Sequence, residues 1–150
     1  MLKVGDKIPD FELLDQNGKT IRSKDLIGKT LVIYFYPKDN TPGCTKEACS
    51  LRDSYNEFST RGILVIGISA DSPKSHQSFA AKFNLPFLLL SDPEKTVIKA
   101  FGAWGEKKMY GKTYEGIVRS TFIIDGEGQV TKVFPKVSPD GHAREILEAL

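Results

Sequence analysis

An α/β sandwich around a mixed sheet, preceded by a β-hairpin, is the fold class this sequence predicts, and three observations carry it. Apolar, β-branched and aromatic runs recur along the chain without the polar alternation of a one-sided sheet. Between and after them stand four pairs of a capping residue followed by proline, each reading as a helix start. The order is strand, helix, strand, helix, strand, helix, then a hairpin and a final helix.

In chain order, Asn17-Gly18 is a two-residue turn signal and predicts the N-terminal hairpin. Buried strands are expected at 31–36, 63–69, 87–90 and 120–125, with a last strand at 129–134 pairing back through Gly126-Glu127-Gly128. Helices are expected to begin at Thr41-Pro42, Ser72-Pro73, Asp92-Pro93 and Ser138-Pro139. The first carries an apolar stripe at Cys44, Ala48, Leu51, Tyr55 and Phe58, stepping by four and three, and stops at Arg61-Gly62. A Gly-flanked loop is expected from 102 to 116.

With 150 residues the chain reads as one domain, 1–150, large enough to bury a core without disulfide staples. The N-terminus, Met1-Leu2-Lys3-Val4-Gly5-Asp6, shows no apolar leader, and no apolar run approaches the roughly 20 residues a membrane span requires. A reducing cytoplasm is the expected compartment, where a close cysteine pair is more often catalytic or metal-binding than structural. The 21 basic and 19 acidic residues are spread along the chain, so no nucleic-acid footprint is read.

Both cysteines lie in one stretch, Phe35-Tyr36-Pro37-Lys38-Asp39-Asn40-Thr41-Pro42-Gly43-Cys44-Thr45-Lys46-Glu47-Ala48-Cys49. If Thr41 caps the helix, Cys44 is its third residue. Its sulfur then faces unpaired amides and the positive end of the helix dipole, which favours thiolate over thiol. Cys44 also sits just beyond the end of a strand, where α/β sheets place their sites.

The pattern Pro37-x-x-x-Thr41-x-x-Cys44, with a second cysteine five residues on, resembles the peroxiredoxins, and within them the PrxQ or bacterioferritin comigratory protein group. The likeness extends through Val4-Gly5-Asp6-x-x-Pro9-x-Phe11, Lys107-Lys108-Met109-Tyr110-Gly111 and Arg119-Ser120-Thr121-Phe122-Ile123-Ile124-Asp125. It implies a thioredoxin-like fold and a thiol peroxidase without metal, haem or flavin. Cys44 would be the peroxidatic cysteine and Cys49 the resolving one, forming a disulfide that a thioredoxin-like dithiol reduces. Arg119 and the Thr41 hydroxyl would attend the sulfur and the peroxide, with the amides of Gly43 and Cys44 as further donors. Pro37 and Pro42 would screen the pocket from water, and Glu47 would orient Arg119 or else lie on a solvated helix face. The likeness favours a monomer, some relatives being dimers.

Other readings stand beside this one. A general dithiol oxidoreductase usually carries C-x-x-C, whereas the spacing here is C-x4-C. A metal-binding module would have to combine two cysteines with His76 and His142, which the sequence places on distant helices as surface or packing residues. A peroxide sensor passing its disulfide to a partner would share every feature of the scavenger. Trp104, Met109 and Tyr110 read equally as the wall of a substrate entrance or as cover for the core edge.

Overall fold

The computed structural model describes residues Met1–Leu150. A hairpin of β1 (Glu12–Asp15) and β2 (Thr20–Arg22) leads to β3 (Thr30–Phe35), α1 (Pro42–Asp53), α2 (Tyr55–Thr60), β4 (Ile63–Ser69) and α3 (Pro73–Phe83). Then follow β5 (Leu88–Ser91), α4 (Thr96–Phe101), the ribbon β6 (Trp104–Met109) and β7 (Lys112–Ile117), β8 (Ser120–Ile124), β9 (Val130–Phe134) and α5 (His142–Ala149). Seven strands form one sheet in the order β2-β1-β5-β4-β3-β8-β9, while β6 and β7 pair only with each other. The central pairs β3–β4 and β4–β5 are parallel, and β3–β8 is antiparallel. This is the mixed sheet flanked by helices that the patterning predicts, with the N-terminal hairpin added at the β5 edge.

The unbroken apolar run around β3 resolves into two faces by the two-residue period of a strand. Val32, Tyr34 and Tyr36 join Cys44, Ala48, Leu51, Phe58, Phe79 and Ile146 in one core, under α1, α2, α3 and α5. Leu31, Ile33 and Phe35 join Ile66, Ile98, Phe101 and Phe122 in a second core on the opposite face. A strand buried on both faces has no position left for a polar side chain, which is why alternation is absent.

Several expectations are corrected. The 102–116 segment is not a loop but the β6–β7 ribbon, turned by Tyr110 and Gly111, both at positive φ. Two successive left-handed residues make a tight hairpin turn, and tyrosine in place of the usual asparagine hides the signal. The long first helix is two, broken at Ser54, whose φ of −99° and ψ of 4° leave the helical range. Leu51 and Phe58, seven residues apart, enter the same core on either side of the break. Proline opens only α1 and α3. Asp92 is not the cap of α4, which begins at Thr96 after Lys95 because Pro93-Glu94-Lys95 form a turn, although its carboxylate still accepts from Ile98 N at 2.8 Å in the first turn. Likewise α5 begins at His142, after Gly141 at φ 66°.

The first hairpin also closes differently from a two-residue turn. Asp15 N bonds Lys19 O, Gly18 takes φ 77°, and the Asp15 carboxylate accepts from the amides of Asn17 and Lys19. Asp125 repeats this arrangement with Glu127, Gly128 and Gln129 between β8 and β9. Both turns read Asp-x-x-Gly, with glycine supplying the left-handed position. His76 and His142 are wholly buried, so of the two readings of them the packing one holds.

Gly67 shows how tightly the first core closes. It lies opposite Tyr34 in the β3–β4 ladder, and a β-carbon there would stand 2.8 Å from the ring's Cζ. Because the tyrosine is buried and cannot swing aside, Gly67→Ala should destabilise the protein by about 1–3 kcal/mol. Denaturant unfolding would measure this, and an unchanged midpoint would show that the ring has room to move.

Candidate active site

The end of β3 and the start of α1 set the site. Asp39 is buried and fixed by many partners: Tyr36 Oη donates to Oδ1 at 2.6 Å, Ser75 Oγ to Oδ2 at 2.8 Å, and His76 Nδ1 lies 2.7 Å from Oδ2. Its own amide donates to Asp71 Oδ2 at 2.8 Å. Asn40 then takes a left-handed φ of 58° and turns the chain into the helix. Thr41 occupies the cap position, yet its hydroxyl makes no cap bond and donates instead to Lys38 O at 2.9 Å. The hydroxyl-cap expectation is therefore corrected: Thr41 closes the turn behind it rather than the helix ahead.

Helix hydrogen bonding starts with Thr45 N to Thr41 O at 2.8 Å, so the amides of Gly43 and Cys44 remain outside the ladder, and Pro42 has none to place. Cys44 is buried in this first turn and Cys49 is half-buried farther along the same helix. Both are free thiols, and α1 runs unbroken through them.

Arg119, in the connection from β7 into β8, spans two residues of α1. Its Nη1 donates to Glu47 Oε1 at 2.7 Å and its Nη2 to Cys44 Sγ at 3.3 Å. Gly43 makes the approach possible, since a β-carbon there would lie 3.2 Å from Nη2. The Arg119 carbonyl accepts from Val137 N, which ties the arginine to the β9–α5 connection as well. Burial opposes the guanidinium charge, but the neighbouring Glu47 and Cys44 outweigh it and raise the Arg119 pKa.

Glu47 is wholly buried, which decides between the two readings of it: it lies under Arg119, not on a solvated face. Burial pushes its carboxyl up to about 7 against the lowering pull of Arg119. Its Oε2 has no hydrogen-bond partner, and neither has the buried Tyr34 hydroxyl. Burial, then the charges of Glu47 and Cys44, raise Tyr34 well above its ordinary value, and its ring shares the first core with Cys44. Sequence reasoning overlooked Tyr34, although the two-residue period of β3 aims it, like Tyr36, at the α1 face.

The prolines divide. Pro37 is half-buried and lines a cleft with Lys107, Val118, Arg119, Lys136 and Val137, whereas Pro42 is exposed at the helix start. Trp104 is not part of that cleft. It packs on the second core beneath the ammonium groups of Lys95 and Lys99, while Met109 and Tyr110 stand exposed at the ribbon tip. His142 Nε2 lies 2.7 Å from Thr121 Oγ1, and His76 belongs to the Asp39–Asp71 network, so neither histidine meets a cysteine.

Comparison with known proteins gives this geometry its setting. The AhpC/TSA family matches residues 4–133. Peroxiredoxin Bcp of Bacillus subtilis is 48% identical over 149 residues, covering 99% of this chain and 95% of that protein. Peroxiredoxin Bcp of Escherichia coli is 45% identical over 149 residues, covering 99% and 96%. Among solved structures, the bacterioferritin comigratory protein of Xanthomonas campestris, studied for alkyl peroxide reduction, aligns with a TM-score of 0.88 at 42% identity, over 93% of this chain and 88% of that one. PrxQ of Xylella fastidiosa aligns with a TM-score of 0.94 at 35% identity, over 99% and 95%. A sulfur held by an arginine at a helix start, on a scaffold shared along the whole chain, thus places this protein in the AhpC/TSA family, among the Bcp/PrxQ peroxiredoxins, which are thioredoxin-fold thiol peroxidases.

Proposed function

We propose that Cys44 is the peroxidatic cysteine of this peroxidase and Cys49 its resolving partner, with hydrogen peroxide and organic hydroperoxides as substrates. One observation carries the reading: the hydrogen bond from Arg119 Nη2 to Cys44 Sγ at the first turn of α1. A permanent cation there stabilises the thiolate, and two free amides beside it await developing charge on oxygen. The thiolate attacks the terminal peroxide oxygen, an S–O bond forms as the O–O bond breaks, and the leaving alkoxide takes up a proton. Cys44 is then a sulfenic acid, oxidised by two electrons. The Cys49 thiolate attacks that sulfur, an S–S bond forms, and hydroxide leaves to become water. A thioredoxin-like dithiol returns both cysteines to thiols by exchange, in a monomer working in a reducing cytoplasm. No helix is long and apolar enough to cross a membrane.

In this scheme Glu47 is a positioning residue, holding the guanidinium that meets the sulfur. Thr41 lends its hydroxyl oxygen to the peroxide. Cys49 stands five residues from Cys44, so in an intact helix the two differ by about 140° around the axis and roughly 8.6 Å between Cα atoms. A disulfide needs Cα atoms within about 7 Å, so resolution requires the first turns of α1 to unwind. Among the residues α1 buries, only Ala48 and Leu51 are hydrocarbon, which makes local opening accessible.

Turnover of peroxide with a dithiol donor should vanish in Cys44→Ser. Cys49→Ser should keep the first, stoichiometric reaction and lose cycling with a donor that needs the disulfide. If Cys44→Ser turns over peroxide like wild type, the assignment is wrong. Oxidation should accelerate amide exchange across residues 43–52 while β3, β4 and β8 stay protected. A Cys44–Cys49 bond inside an unbroken helix would refute the unwinding step.

Glu47 predicts a pH dependence of stability. Its folded pKa of about 7 lies above the ordinary 4.5, so between those values the folded protein keeps a proton that the unfolded chain has released. The contribution is full below about pH 4.5 and is lost as pH rises through 7, amounting to about 3 kcal/mol. Glu47→Gln keeps an acceptor for Arg119 but cannot ionise, so it should lack this slope. Unfolding midpoints from pH 4.5 to 8 for both proteins would test it; parallel profiles would mean that Glu47 stays ionised throughout.

A further inference from the structure

The cleft beside Arg119 has a charge pattern that the reaction with hydrogen peroxide does not use. It is about 610 Å³ in volume and runs between β6 and the connection from β9 to α5. Four cations line it, Lys107, Lys108, Arg119 and Lys136, against one carboxylate, Glu106. The chain as a whole has 21 basic and 19 acidic residues, so this concentration is local. Arg119 is matched by Glu47 and the sulfur, but none of the three lysines takes part in a salt bridge. Lys107 is the most committed of them. Its stem crosses Gly116, where a β-carbon would stand 3.2 Å from Cδ, and its ammonium donates to Ile117 O at 2.8 Å. Burial and the nearby Arg119 both disfavour its charge, while Cys44 favours it. Basic residues lining one cleft with apolar walls at Pro37, Val118 and Val137 give it a positive potential. An anion seated there offsets the repulsion between Arg119 and Lys107, and an apolar body fits the walls.

We propose that this cleft is a subsite for the anionic end of an organic hydroperoxide, seating a carboxylate among Lys107, Lys108 and Lys136 while the peroxide end reaches Cys44. It rests on the peroxidase reading above and adds to it a preference for carboxylate-bearing hydroperoxides over neutral ones of the same shape. The cleft volume accommodates a substituted benzene ring together with its carboxylate.

The test is a matched pair: cumene hydroperoxide carrying a para-carboxylate, and the methyl ester of the same compound, with hydrogen peroxide as reference. For wild type at low salt, kcat/KM for the acid should exceed that for the ester by roughly 5- to 10-fold, and the ratio should shrink as salt screens the lysines. Lys107→Gln and Lys136→Gln should each lower the ratio, and together bring it to about one. Lys136→Arg, which keeps the charge, should hold it. Lys136 is exposed, so its variants read the subsite even if Lys107→Gln disturbs the ribbon. A ratio of one in wild type, with hydrogen peroxide still turned over, would overturn the subsite and leave the peroxidase reading standing. No turnover of any of the three peroxides would overturn both. If the ratio is one and the lysine variants slow only reduction by the dithiol protein, the cleft receives an acidic partner instead, and the subsite is again overturned.

Discussion

The guanidinium of Arg119, forked between a carboxylate and a sulfur of one helix, is the interaction on which the rest of this structure depends. Glu47 is buried, and a buried carboxylate left alone would be strongly destabilising. Arg119 meets only one of its oxygens, so the pair is incompletely satisfied even here. Such a contact survives only if other forces fix the distance between α1 and the strand that follows Arg119. They do so from several sides. Antiparallel pairing of β3 with β8 aligns Phe35 with Ser120, which brings the end of one strand beside the start of the other. Gly43 removes the β-carbon that would hold the arginine off, and Pro139 packs over the same turn. The bond from Val137 N to Arg119 O fastens the backbone beneath.

The same helix has to be firm at one end and loose along its length. Asp39 supplies the firm end, with its carboxylate and amide tied to Tyr36, Asp71, Ser75 and His76. His76 Nε2 also reaches Leu90 O, so the network runs back into the sheet. Past Pro42 the anchors of α1 are the Arg119 fork on Cys44 and Glu47 and the buried Ala48 and Leu51, and the break at Ser54 separates α1 from α2. A segment pinned before its first turn and interrupted after its last can unwind without moving the strands. Local opening of that kind gives up the contacts of Cys44, Ala48 and Leu51 with the first core and leaves the second core intact.

The strands of the central sheet were legible because two-sided burial writes itself as an unbroken apolar run. Ile63–Ser69 has the expected bounds, and β3, β5, β8 and β9 lie within a residue of theirs. The pairing of Cys44 with a cation was legible only through the family pattern, since 75 residues separate Arg119 from the sulfur. The burial of Glu47 could have been read from its place three residues after Cys44 and four before Leu51, on the stripe that faces the core. The β6–β7 ribbon was hidden because its strands are polar and exposed, so no hydrophobic period marks them. Helix starts were overread: a capping residue before proline also begins a turn, and only the later chain direction separates the two at Asp92-Pro93 and Ser138-Pro139.

The orientation of the Thr41 hydroxyl completes the chemistry of the proposed site. The one side chain bonded to the sulfur, the Arg119 guanidinium, is a donor, and the amides of Gly43 and Cys44 stand outside the helix ladder in the same turn. A hydroperoxide, however, brings a proton of its own on the oxygen to be attacked, and a pocket of donors alone leaves that proton unmatched. Thr41 Oγ1 gives its hydrogen to Lys38 O, so its lone pairs are what remain for a ligand. On the proposed reading, the threonine accepts from the peroxide while arginine and amides stabilise the oxygen that leaves. Cap chemistry would have spent that acceptor on the helix. The failed cap is therefore consistent with the proposed function: the hydroxyl is turned away from the backbone it would ordinarily satisfy, and the amides it would have satisfied stay outside the helix ladder.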